Sequence, residues 1–258
     1  MAGFDGKVAF VSAGSTGIGL STAPYLGERG ARVMICARRE TTLQDAVKQL
    51  GANADYVVCD VSDEASVVAA IEKTVQQFGA LHCAVNCAGT GTAGPFVDMD
   101  SGQFDEVMKT NLYGTFYATR AQARVMLANG GGSIVNIGSL AGTVTHRWLS
   151  GYCASKAGLS MLSKCAADEL GEHNVRVNVV EPGGVETPLA EMLFATESGR
   201  REYLDNTPVS RLGRTGDIAA MVAFLLSDEA GWITGEVIGV DGGHHLRRGP
   251  NVEKCFEM

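Results

Sequence analysis

The sequence predicts a three-layer α/β fold, in which a doubly wound parallel sheet of about seven strands lies between two layers of helices. Seven short segments are rich in apolar and β-branched residues, and segments with helical periodicity separate them. The apolar segments lack polar alternation, which is typical of parallel strands that are buried on both faces. Because right-handed crossovers join such strands, the alternating order gives a doubly wound sheet.

Each predicted strand is a run of mainly apolar residues. In chain order these runs are "KVAFVSA" (7–13), "ARVMICA" (31–37), "ADYVVC" (54–59), "LHCAVN" (81–86), "GSIVNIG" (132–138), "VRVNVV" (175–180) and "GEVIGV" (235–240). The predicted helices occupy the segments between them, at about 17–29, 40–50, 63–78, 103–128, 152–172 and 216–227. Ser62, with Asp63 and Glu64 behind it, is expected to cap the third helix.

The order of elements continues without a low-complexity linker or an internal repeat, so residues 1–258 are predicted to form a single domain. The longest segment without strong periodicity lies at about 187–214 and is predicted to be a substrate lid. The tail at 244–258 is polar, and the sequence assigns it no role.

Composition excludes several classes of protein. The chain has 258 residues, of which 45% are hydrophobic and 19% charged, and it has no apolar run long enough to span a bilayer. A membrane protein is therefore not expected. The net charge of -8 argues against a nucleic-acid partner, which needs concentrated Lys and Arg. The N-terminal residues lack the pattern of a secretory signal, which predicts a cytoplasmic location.

Cysteine usage indicates a reduced protein without a metal site. The seven cysteines lie mostly in apolar segments and never form a CxxC pair, which favours buried thiols over disulfides or zinc. His244 and His245 are adjacent, which suits a loop better than a pair of metal ligands.

A glycine-rich loop follows the first strand, in "SAGSTGIGLS". Glycines there allow a sharp turn and a close approach of the backbone to a pyrophosphate at the start of a helix, as in a Rossmann-like fold. The strand before the loop and the helix after it provide the context that such a motif needs. The candidate cofactor residues of this loop are Gly14, Ser15, Thr16, Gly17, Ile18 and Gly19.

The spacing Gly-x-x-x-Gly-x-Gly resembles that of the classical short-chain dehydrogenase/reductase family, and the resemblance extends over nearly the whole chain. It is carried by "CDV", "NCAG", "TNLYG", "NIGSLAG", "YCASK" and "EPGGVET". Cys87 replaces the second Asn of the family's NNAG, and Ser12 stands where the family usually has Thr. Either hydroxyl can make the same local hydrogen bond.

The resemblance implies a nicotinamide-dependent oxidoreductase that acts on a secondary alcohol or ketone. The implied cofactor residues beyond the loop are Asp60, Val61, Asn86, Ala88, Gly89, Tyr152, Lys156, Pro182, Gly183, Val185 and Thr187. The implied catalytic residues are Asn111, Ser139, Tyr152 and Lys156. By the same resemblance Lys156 binds the nicotinamide ribose, Ser139 holds the substrate oxygen, and Asn111 keeps a water that links Lys156 to solvent.

The chemistry needs a proton donor, and Tyr152 is suited to this role. A phenol has a pKa near 10, but a cation within about 4–6 Å favours the phenolate. Lys156 follows one helical turn later, and no Asp or Glu in 150–162 neutralises it. His146 and Trp148 precede the pair and either line the pocket or fill a loop.

The residues after the second strand favour NADP(H), with NAD(H) as the alternative. An NAD-binding fold commonly has an acid here to hold the ribose 2′-hydroxyl, whereas this chain has Ala37 followed by Arg38 and Arg39. A guanidinium suits a 2′-phosphate. Alternatively, Arg38 stacks on the adenine, and Arg39 is exposed to solvent at the start of the second helix.

The partners are predicted to be a small molecule and further copies of the chain. The helices at 103–128 and 152–172 have apolar faces. In the resembling family these helices pack against a second subunit, which predicts a homotetramer. The alternative is that other parts of the same chain cover both faces. In the segment "PLAEMLF" the apolar residues recur at helical spacing, at Leu189, Met192, Leu193 and Phe194. They are expected either to cover a hydrophobic ligand or to pack against the sheet as an ordinary amphipathic helix.

A free, mainly apolar carbonyl compound or alcohol, such as a steroid-like or aliphatic one, is the expected substrate. The alternative is a 3-oxoacyl group on an acidic carrier protein, which needs cations near the active-site mouth. The segment "MLANGGGS" (126–133) has none, and Glu172 would repel an anion, although Arg124 and Arg176 remain. A dinucleotide-sensing regulator without catalytic activity is the alternative from another functional class. The identity of the substrate, the physiological direction of the reaction and its stereochemistry stay open.

Overall fold

A computed structural model describes residues 3–256 and shows one parallel sheet of seven strands in the order β3-β2-β1-β4-β5-β6-β7. This is the predicted doubly wound α/β fold. The strands are β1 (Val8–Ser12), β2 (Arg32–Ala37), β3 (Ala54–Val58), β4 (Cys83–Asn86), β5 (Gly132–Ile137), β6 (Val175–Pro182) and β7 (Val237–Val240).

Helices form the two outer layers. They are α1 (Gly17–Gly27), α2 (Glu40–Leu50), α3 (Glu64–Phe78), α4 (Ser101–Met108), α5 (Gly114–Ala128), α6 (Ser150–Gly171), α7 (Glu191–Phe194), α8 (Glu197–Asp205) and α9 (Thr215–Leu226). Short 3₁₀ turns lie at Phe96–Asp98, Leu140–Gly142, Pro188–Ala190, Asp228–Ala230, His244–Leu246 and Val252–Cys255. No helix within residues 3–256 is long and apolar enough to cross a membrane.

Alternate residues of each central strand enter different cores. Ala9 and Val11 of β1 pack with α1, α2 and α9 in one hydrophobic cluster, whereas Phe10 packs with α3, α5 and α6 in another. Both faces of β1 are therefore buried, which explains why its sequence is apolar without alternation.

The structure differs from the predicted elements in three places. The helix expected at 103–128 is interrupted by a π-helical turn at Lys109–Tyr113, which separates α4 from α5. The N-cap of α3 is Asp63, whose carboxylate accepts hydrogen bonds from Ala65 N and Ser66 N, so the prediction of Ser62 was wrong by one residue. The segment at 187–214 is not irregular throughout, because it contains α7 and α8.

Candidate active site

The loops that carry the predicted site residues meet at the carboxyl edge of the sheet. The strand order reverses between β1 and β4, which are neighbours although two strands separate them in sequence. A crevice outside such a reversal is the usual ligand site of a doubly wound sheet. The glycine loop follows β1, and the segment with Ala88 and Gly89 follows β4.

The glycine loop is built to receive a phosphate. A Cβ at Gly19 would collide with the main-chain oxygen of Ala13, so α1 starts as close to β1 as it does only because residue 19 is glycine. Thr16, the N-cap of α1, makes no side-chain cap hydrogen bond, and the first turn of α1 carries no acidic residue. The helix terminus therefore presents N–H groups and a positive dipole end to an anion.

The segment after β6 approaches this loop from the opposite side. β6 ends at Pro182, and Gly183 packs so closely on the next strand's end that a Cβ would lie 2.8 Å from the Cβ of Asp241. Farther along, Thr187 lies near the glycine loop, since a Cβ at Gly17 would be 3.6 Å from the Cβ of Thr187. The structure thus brings the two predicted cofactor segments to one crevice.

Ser12 ties the first and fourth strands together at this edge. Its hydroxyl accepts hydrogen bonds from the main-chain N–H groups of Cys87 (2.9 Å) and Ala88 (3.2 Å). The expectation that serine serves here as well as threonine is confirmed, because the hydroxyl is the group used. These two bonds fix the segment that leads from β4 into the crevice.

The Asn86 side chain takes part in a buried network of amides. It is buried, and its Nδ2 donates to Asn136 Oδ1 at 2.8 Å and to Gln122 Oε1 at 2.9 Å. Gln122 Nε2 donates back to Asn86 Oδ1 at 2.8 Å. The amide is therefore committed to neighbours inside the protein, and any cofactor contact at this position is left to the main chain.

Two exposed arginines flank the place where the adenosine end of a dinucleotide is expected. Within residues 3–256 the guanidinium groups of Arg38 and Arg39 form no hydrogen bond or ion pair, and both side chains are exposed. Asp60 accepts from the Ser62 N–H (2.9 Å) and hydroxyl (2.8 Å). Burial opposes ionisation of Asp60, but those bonds and nearby Arg38 outweigh it and hold its pKa below the ordinary value.

Lys156 lies inside the protein on helix α6. It is 4% exposed, and its Nζ donates to the Ile137 carbonyl oxygen at 2.8 Å. Burial lowers the pKa of Lys156 to about 8, against smaller opposing effects of Cys87 and Glu181. The ammonium is 5.7 Å from the centre of the Tyr152 ring, so the predicted pair is brought together.

Tyr152 lies beside Lys156 with its ring partly exposed. Burial raises the pKa of its phenol above the ordinary value, and contact with the Ser139 hydroxyl opposes this. The effect of burial therefore outweighs the lowering of the Tyr152 pKa that was expected from Lys156. The Ser139 hydroxyl also accepts from Ala141 N at 3.2 Å, which fixes it at the start of the 3₁₀ turn after β5.

Asn111 is fully buried in the π-helical turn. Its Oδ1 accepts from Thr90 N at 2.8 Å, and its Nδ2 donates to Thr90 O at 2.9 Å and to Ser155 Oγ at 3.0 Å. A Cβ at Gly89 would lie 3.4 Å from Asn111 Oδ1 and 3.7 Å from Lys156 Nζ, so both side chains converge on that glycine. The π turn, which the sequence pattern did not reveal, sets this position.

A hydrophobic cluster adjoins Tyr152 on the side of the candidate lid. Its buried members are Leu149, Tyr203, Leu212, Val252 and Cys255, with Tyr152, Cys153, Leu193, Phe194 and Leu204 packed against them. Leu193 and Phe194 thus face the site, whereas Leu189 and Met192 are exposed by 53% and 64%. Two of the four apolar residues predicted at helical spacing in 188–194 therefore face solvent.

His146 and Trp148 belong to the loop before α6. His146 is buried, shares a hydrogen bond of 2.8 Å with the Val144 carbonyl oxygen, and has its pKa lowered by burial to about 4. Trp148 has a positive φ of 71° and packs on Phe256 with ring centres 6.1 Å apart. His146 is therefore a neutral, buried part of this loop.

Sequence reasoning missed the contribution of the C-terminal tail to this cluster. Val252 and Cys255 belong to a segment that is polar overall and that the sequence analysis gave no role. The available signal was the helical spacing of Val252, Cys255 and Phe256.

The thiols are less uniformly buried than expected. All seven cysteines are free, with Cys87 and Cys153 half-buried and Cys165 exposed. No group of three or more His, Cys, Asp or Glu side chains within residues 3–256 is arranged to hold a metal ion.

Comparison with known proteins extends over nearly the whole chain. A family model described as "Enoyl-(Acyl carrier protein) reductase" matches residues 12–245. The 3-oxoacyl-[acyl-carrier-protein] reductase FabG of Escherichia coli is 37% identical over 243 residues, which cover 94% of this chain and 99% of that protein. A tropinone reductase homolog of Arabidopsis thaliana is also 37% identical, over 93% of this chain and 90% of its own length.

Solved structures show the same fold. A short-chain type dehydrogenase/reductase from Mycobacterium ulcerans superimposes with a TM-score of 0.96 at 38% identity, covering 99% of this chain and 95% of that one. Levodione reductase gives a TM-score of 0.90 at 32% identity, covering 94% and 99%. The chain therefore belongs to the classical short-chain dehydrogenase/reductase family and is an NAD(P)-dependent oxidoreductase that acts on CH–OH groups and ketones.

Proposed function

We propose that Tyr152 is the proton donor in carbonyl reduction and the proton acceptor in the reverse reaction. A bound nicotinamide cofactor supplies or accepts the hydride. The Tyr152 hydroxyl gives its proton to the substrate oxygen, and the Ser139 hydroxyl donates a hydrogen bond to that same oxygen. Lys156 stabilises the phenolate that remains and is placed to bind the cofactor's ribose.

The observation that carries this proposal is the position of the Lys156 ammonium. It is buried 5.7 Å from the Tyr152 ring centre and uses a neutral carbonyl, that of Ile137, as its acceptor. Among residues 3–256 no carboxylate forms an ion pair with it, so its charge acts on Tyr152 and on bound groups. Asn111 lies close by and is proposed to hold the water that exchanges protons with Lys156.

The glycine loop supports a pyrophosphate site in the same crevice. The main chain of Gly14–Gly19 and the uncapped start of α1 would hold the phosphates, and Ala88, Gly89, Val185 and Thr187 would line the nicotinamide side. We propose NADP(H) as the preferred cofactor, because Arg38 and Arg39 are exposed and no carboxylate within residues 3–256 forms an ion pair with them.

A free, mainly apolar carbonyl compound or alcohol is the proposed substrate class. The cluster beside Tyr152 is apolar and aromatic, with Phe194 and Tyr203 in edge-to-face contact at 5.1 Å. Burial also keeps His146 uncharged near neutral pH. These groups favour an uncharged ligand over an anionic one.

Reduction of a 3-oxoacyl group on a carrier protein is the second candidate, and the names of relatives such as the E. coli protein favour it. Against it, the surface leading into β5 has no Lys or Arg between Met126 and Ser133, and Glu172 is exposed at the end of α6. A carrier's acidic helix would find no cation within that segment, and only Arg124 and Arg176 remain near it.

A substrate panel tests this choice. We would compare kcat/KM for steroid, aliphatic and sugar ketones with that for a carrier-bound 3-oxoacyl thioester, using both reduced cofactors at low and high salt. The proposal expects a free apolar ketone to be preferred with little dependence on salt. A preference for the carrier-bound substrate that weakens as salt rises would establish the second candidate instead.

A homotetramer is proposed from apolar side chains left on the outer surfaces of α4, the π turn, α5 and α6. They include Phe104, Tyr113, Phe116, Leu127 and Met161, all partly or largely exposed. Light scattering at micromolar concentration should give about four times the chain mass of 27.1 kDa. A value near one chain mass would show that these faces remain solvated. The seven free thiols support a reducing compartment, and we propose the cytoplasm.

A further inference from the structure

Glu181 is a buried carboxylate near the end of β6, immediately before the predicted cofactor residues Pro182 and Gly183. It is 4% exposed, and within residues 3–256 it forms no ion pair. Burying a carboxylate without an ion pair is costly unless hydrogen bonds replace those lost to water. The groups that bond to Glu181 therefore show which parts of the protein depend on it.

Both carboxylate oxygens of Glu181 accept hydrogen bonds, and the two donors come from different elements. Thr143 Oγ1 donates to Oε2 at 2.7 Å, and Ser160 Oγ donates to Oε1 at 3.0 Å. Thr143 ends the 3₁₀ turn that Ser139 caps, and Ser160 lies one turn after Lys156 on α6. Glu181 therefore bonds the turn that holds Ser139 to the helix that carries the proposed proton donor.

The 3₁₀ turn is packed tightly between this carboxylate and α6. A Cβ at Gly142 would lie 3.1 Å from Glu181 Oε1 and 3.0 Å from the main-chain carbonyl carbon of Lys156. A Cβ at Gly138, just after β5, would lie 3.0 Å from Glu181 Cγ. The main chain on either side of Ser139 therefore rests against the Glu181 side chain.

Glu181 also acts on the Lys156 ammonium through its charge. Burial lowers the pKa of Lys156 to about 8, and the charges of Cys87 and Glu181 oppose this change. Burial raises the pKa of the Cys87 thiol to about 11, so Cys87 is neutral over the range in which Lys156 titrates. The Tyr152 phenol on the same helix is neutral there as well, because burial raises its pKa above the ordinary value. Of these three neighbours, Glu181 is therefore the one that supplies a negative charge.

We propose that Glu181 is a positioning residue of this active site, which holds the Ser139 turn against α6 and favours the charged form of Lys156. This inference deepens the proposed function and rests on the roles proposed for Ser139, Tyr152 and Lys156. The Glu181 carboxylate is bonded to hydroxyl groups and forms no ion pair with the ammonium. It therefore supports the charge of Lys156 without occupying the N–H groups that a bound ligand would use.

The charge has a consequence for the pH dependence of the reaction. When the Tyr152 proton moves to the substrate oxygen, a phenolate remains, and the ammonium form of Lys156 stabilises it. That form is present below the pKa of Lys156 and is lost as the pH rises through it. Because Glu181 raises this pKa, it extends carbonyl reduction to higher pH. Removing its charge should therefore move the alkaline limit of reduction to lower pH.

Two substitutions of Glu181 separate its charge from its hydrogen bonds. Glu181→Gln removes the charge and keeps nearly the same volume and length. Glu181→Asp keeps the charge but is shorter by one methylene, which withdraws the carboxylate from Thr143 and Ser160. Glu236→Gln is the matched control, because Glu236 is exposed and lies just before β7, the strand next to β6.

The first measurement is the pH dependence of kcat for reduction of the best ketone from the panel. We expect the alkaline decline of Glu181→Gln to lie at lower pH than that of the wild type and of Glu236→Gln. On that limb its kcat should be at least about threefold below the control, which corresponds to a displacement of about half a pH unit. Glu181→Asp should lose kcat at every pH, because the Ser139 turn is released, while its alkaline decline stays near the wild-type position.

A direct titration gives a readout that does not depend on catalysis. In protein labelled with ¹³C at the Cε atoms of lysine, NMR follows the midpoint of Lys156, and the absence of that signal in Lys156→Met assigns it. We expect a lower midpoint in Glu181→Gln than in the wild type and in Glu236→Gln.

Thr143→Val covers the case in which Glu181→Gln does not fold. It removes one hydroxyl donor and leaves the carboxylate in place. Hydrogen exchange in 139–143 should become faster and kcat should fall, while the Lys156 midpoint stays at the wild-type value. Unchanged exchange and kcat in this variant would show that the hydrogen bond does not position the turn.

Two results for Glu181→Gln would overturn the inference. One is a Lys156 midpoint and a pH profile that coincide with those of Glu236→Gln. The other is an equal loss of kcat at every pH without displacement of the alkaline decline, which would indicate general destabilisation. If Tyr152→Phe retained activity while the Lys156 midpoint still fell in Glu181→Gln, the proposed role of Tyr152 would fail and the action of Glu181 on Lys156 would stand.

Discussion

The Lys156 ammonium faces the Tyr152 ring at 5.7 Å from its centre while its hydrogen bond goes to the Ile137 carbonyl oxygen. Burial makes both ionised forms costly here, since it lowers the pKa of Lys156 to about 8 and raises that of Tyr152. A neutral phenol beside a cation is the resting arrangement that proton donation requires. This arrangement supports the proposal that Tyr152 gives a proton to the substrate and that Lys156 then stabilises the phenolate.

Replacing Tyr152 by Phe should remove the proton donor and little else. We expect kcat to fall by about 100-fold or more, because a positioned general acid contributes roughly that much, while the affinity for NADP(H) changes less than about threefold. Steady-state kinetics and fluorescence titration of the reduced cofactor would measure the two effects.

Tyr113→Phe is the control for this change, because Tyr113 is 48% exposed and is not one of the predicted site residues. That variant should retain wild-type kinetics. A Tyr152→Phe enzyme with more than about a tenth of the wild-type kcat would show that another group donates the proton.

Spacing predicted the proximity of Tyr152 and Lys156, because a separation of four residues in one regular helix brings two side chains together. The π turn that contains Asn111 was not predicted, and the Asn111 side chain bonds there to Thr90 and Ser155, which lie far away in sequence. The bonds between the Asn86 and Gln122 side chains were not predicted either, because they join two different elements. Long-range contacts of this kind leave no periodic signal in the sequence.

Arg38→Ala should weaken NADP(H) binding and leave NAD(H) binding nearly unchanged. The guanidinium is exposed next to Asp60 and has no ion-pair partner within residues 3–256, so the 2′-phosphate would lose a charge-assisted hydrogen bond. We expect the dissociation constant for NADP(H) to rise by about 10-fold, measured by titration.

The comparison needs two further variants. Arg39→Ala shows which of the two arginines meets the phosphate, and Lys73→Ala on α3 removes an exposed cation away from the crevice. Equal loss of NAD(H) and NADP(H) affinity in Arg38→Ala would instead indicate stacking of Arg38 on the adenine.

His146 should make the fold sensitive to acid. Burial lowers its pKa to about 4 from an ordinary value near 6.5, so protonation favours the unfolded state. The stabilising effect of the neutral ring is complete above about pH 6.5 and is lost progressively as the pH falls towards 4, by about 2–3 kcal/mol in all.

His146→Asn tests this, because an amide N–H can still donate to the Val144 carbonyl oxygen that the ring contacts at 2.8 Å. Denaturant unfolding at several pH values should show that the wild type loses stability relative to the variant between pH 6.5 and 4. Parallel curves for the two proteins across that range would exclude His146 as the source.

Gln122→Leu should destabilise the protein through its effect on Asn86. Gln122 is fully buried between α5 and β4, and the two amides exchange hydrogen bonds of 2.8 and 2.9 Å. Leucine nearly preserves the volume but leaves the Asn86 oxygen without a donor, and a buried unsatisfied group costs about 1–3 kcal/mol. The melting temperature should fall by about 2–6 °C for a chain of this size.

A double-mutant cycle separates this cause from simple repacking. Removing both partners in Asn86→Leu with Gln122→Leu should cost less than the sum of the two single changes, because each single change strands the other amide. Gln76→Leu on the exposed side of α3 serves as the control and should change the melting temperature by less than about 1 °C. Additive losses in the cycle would mean that the two amides do not support each other, and that Asn86 is held in place by its other partners, Asn136 and Thr119.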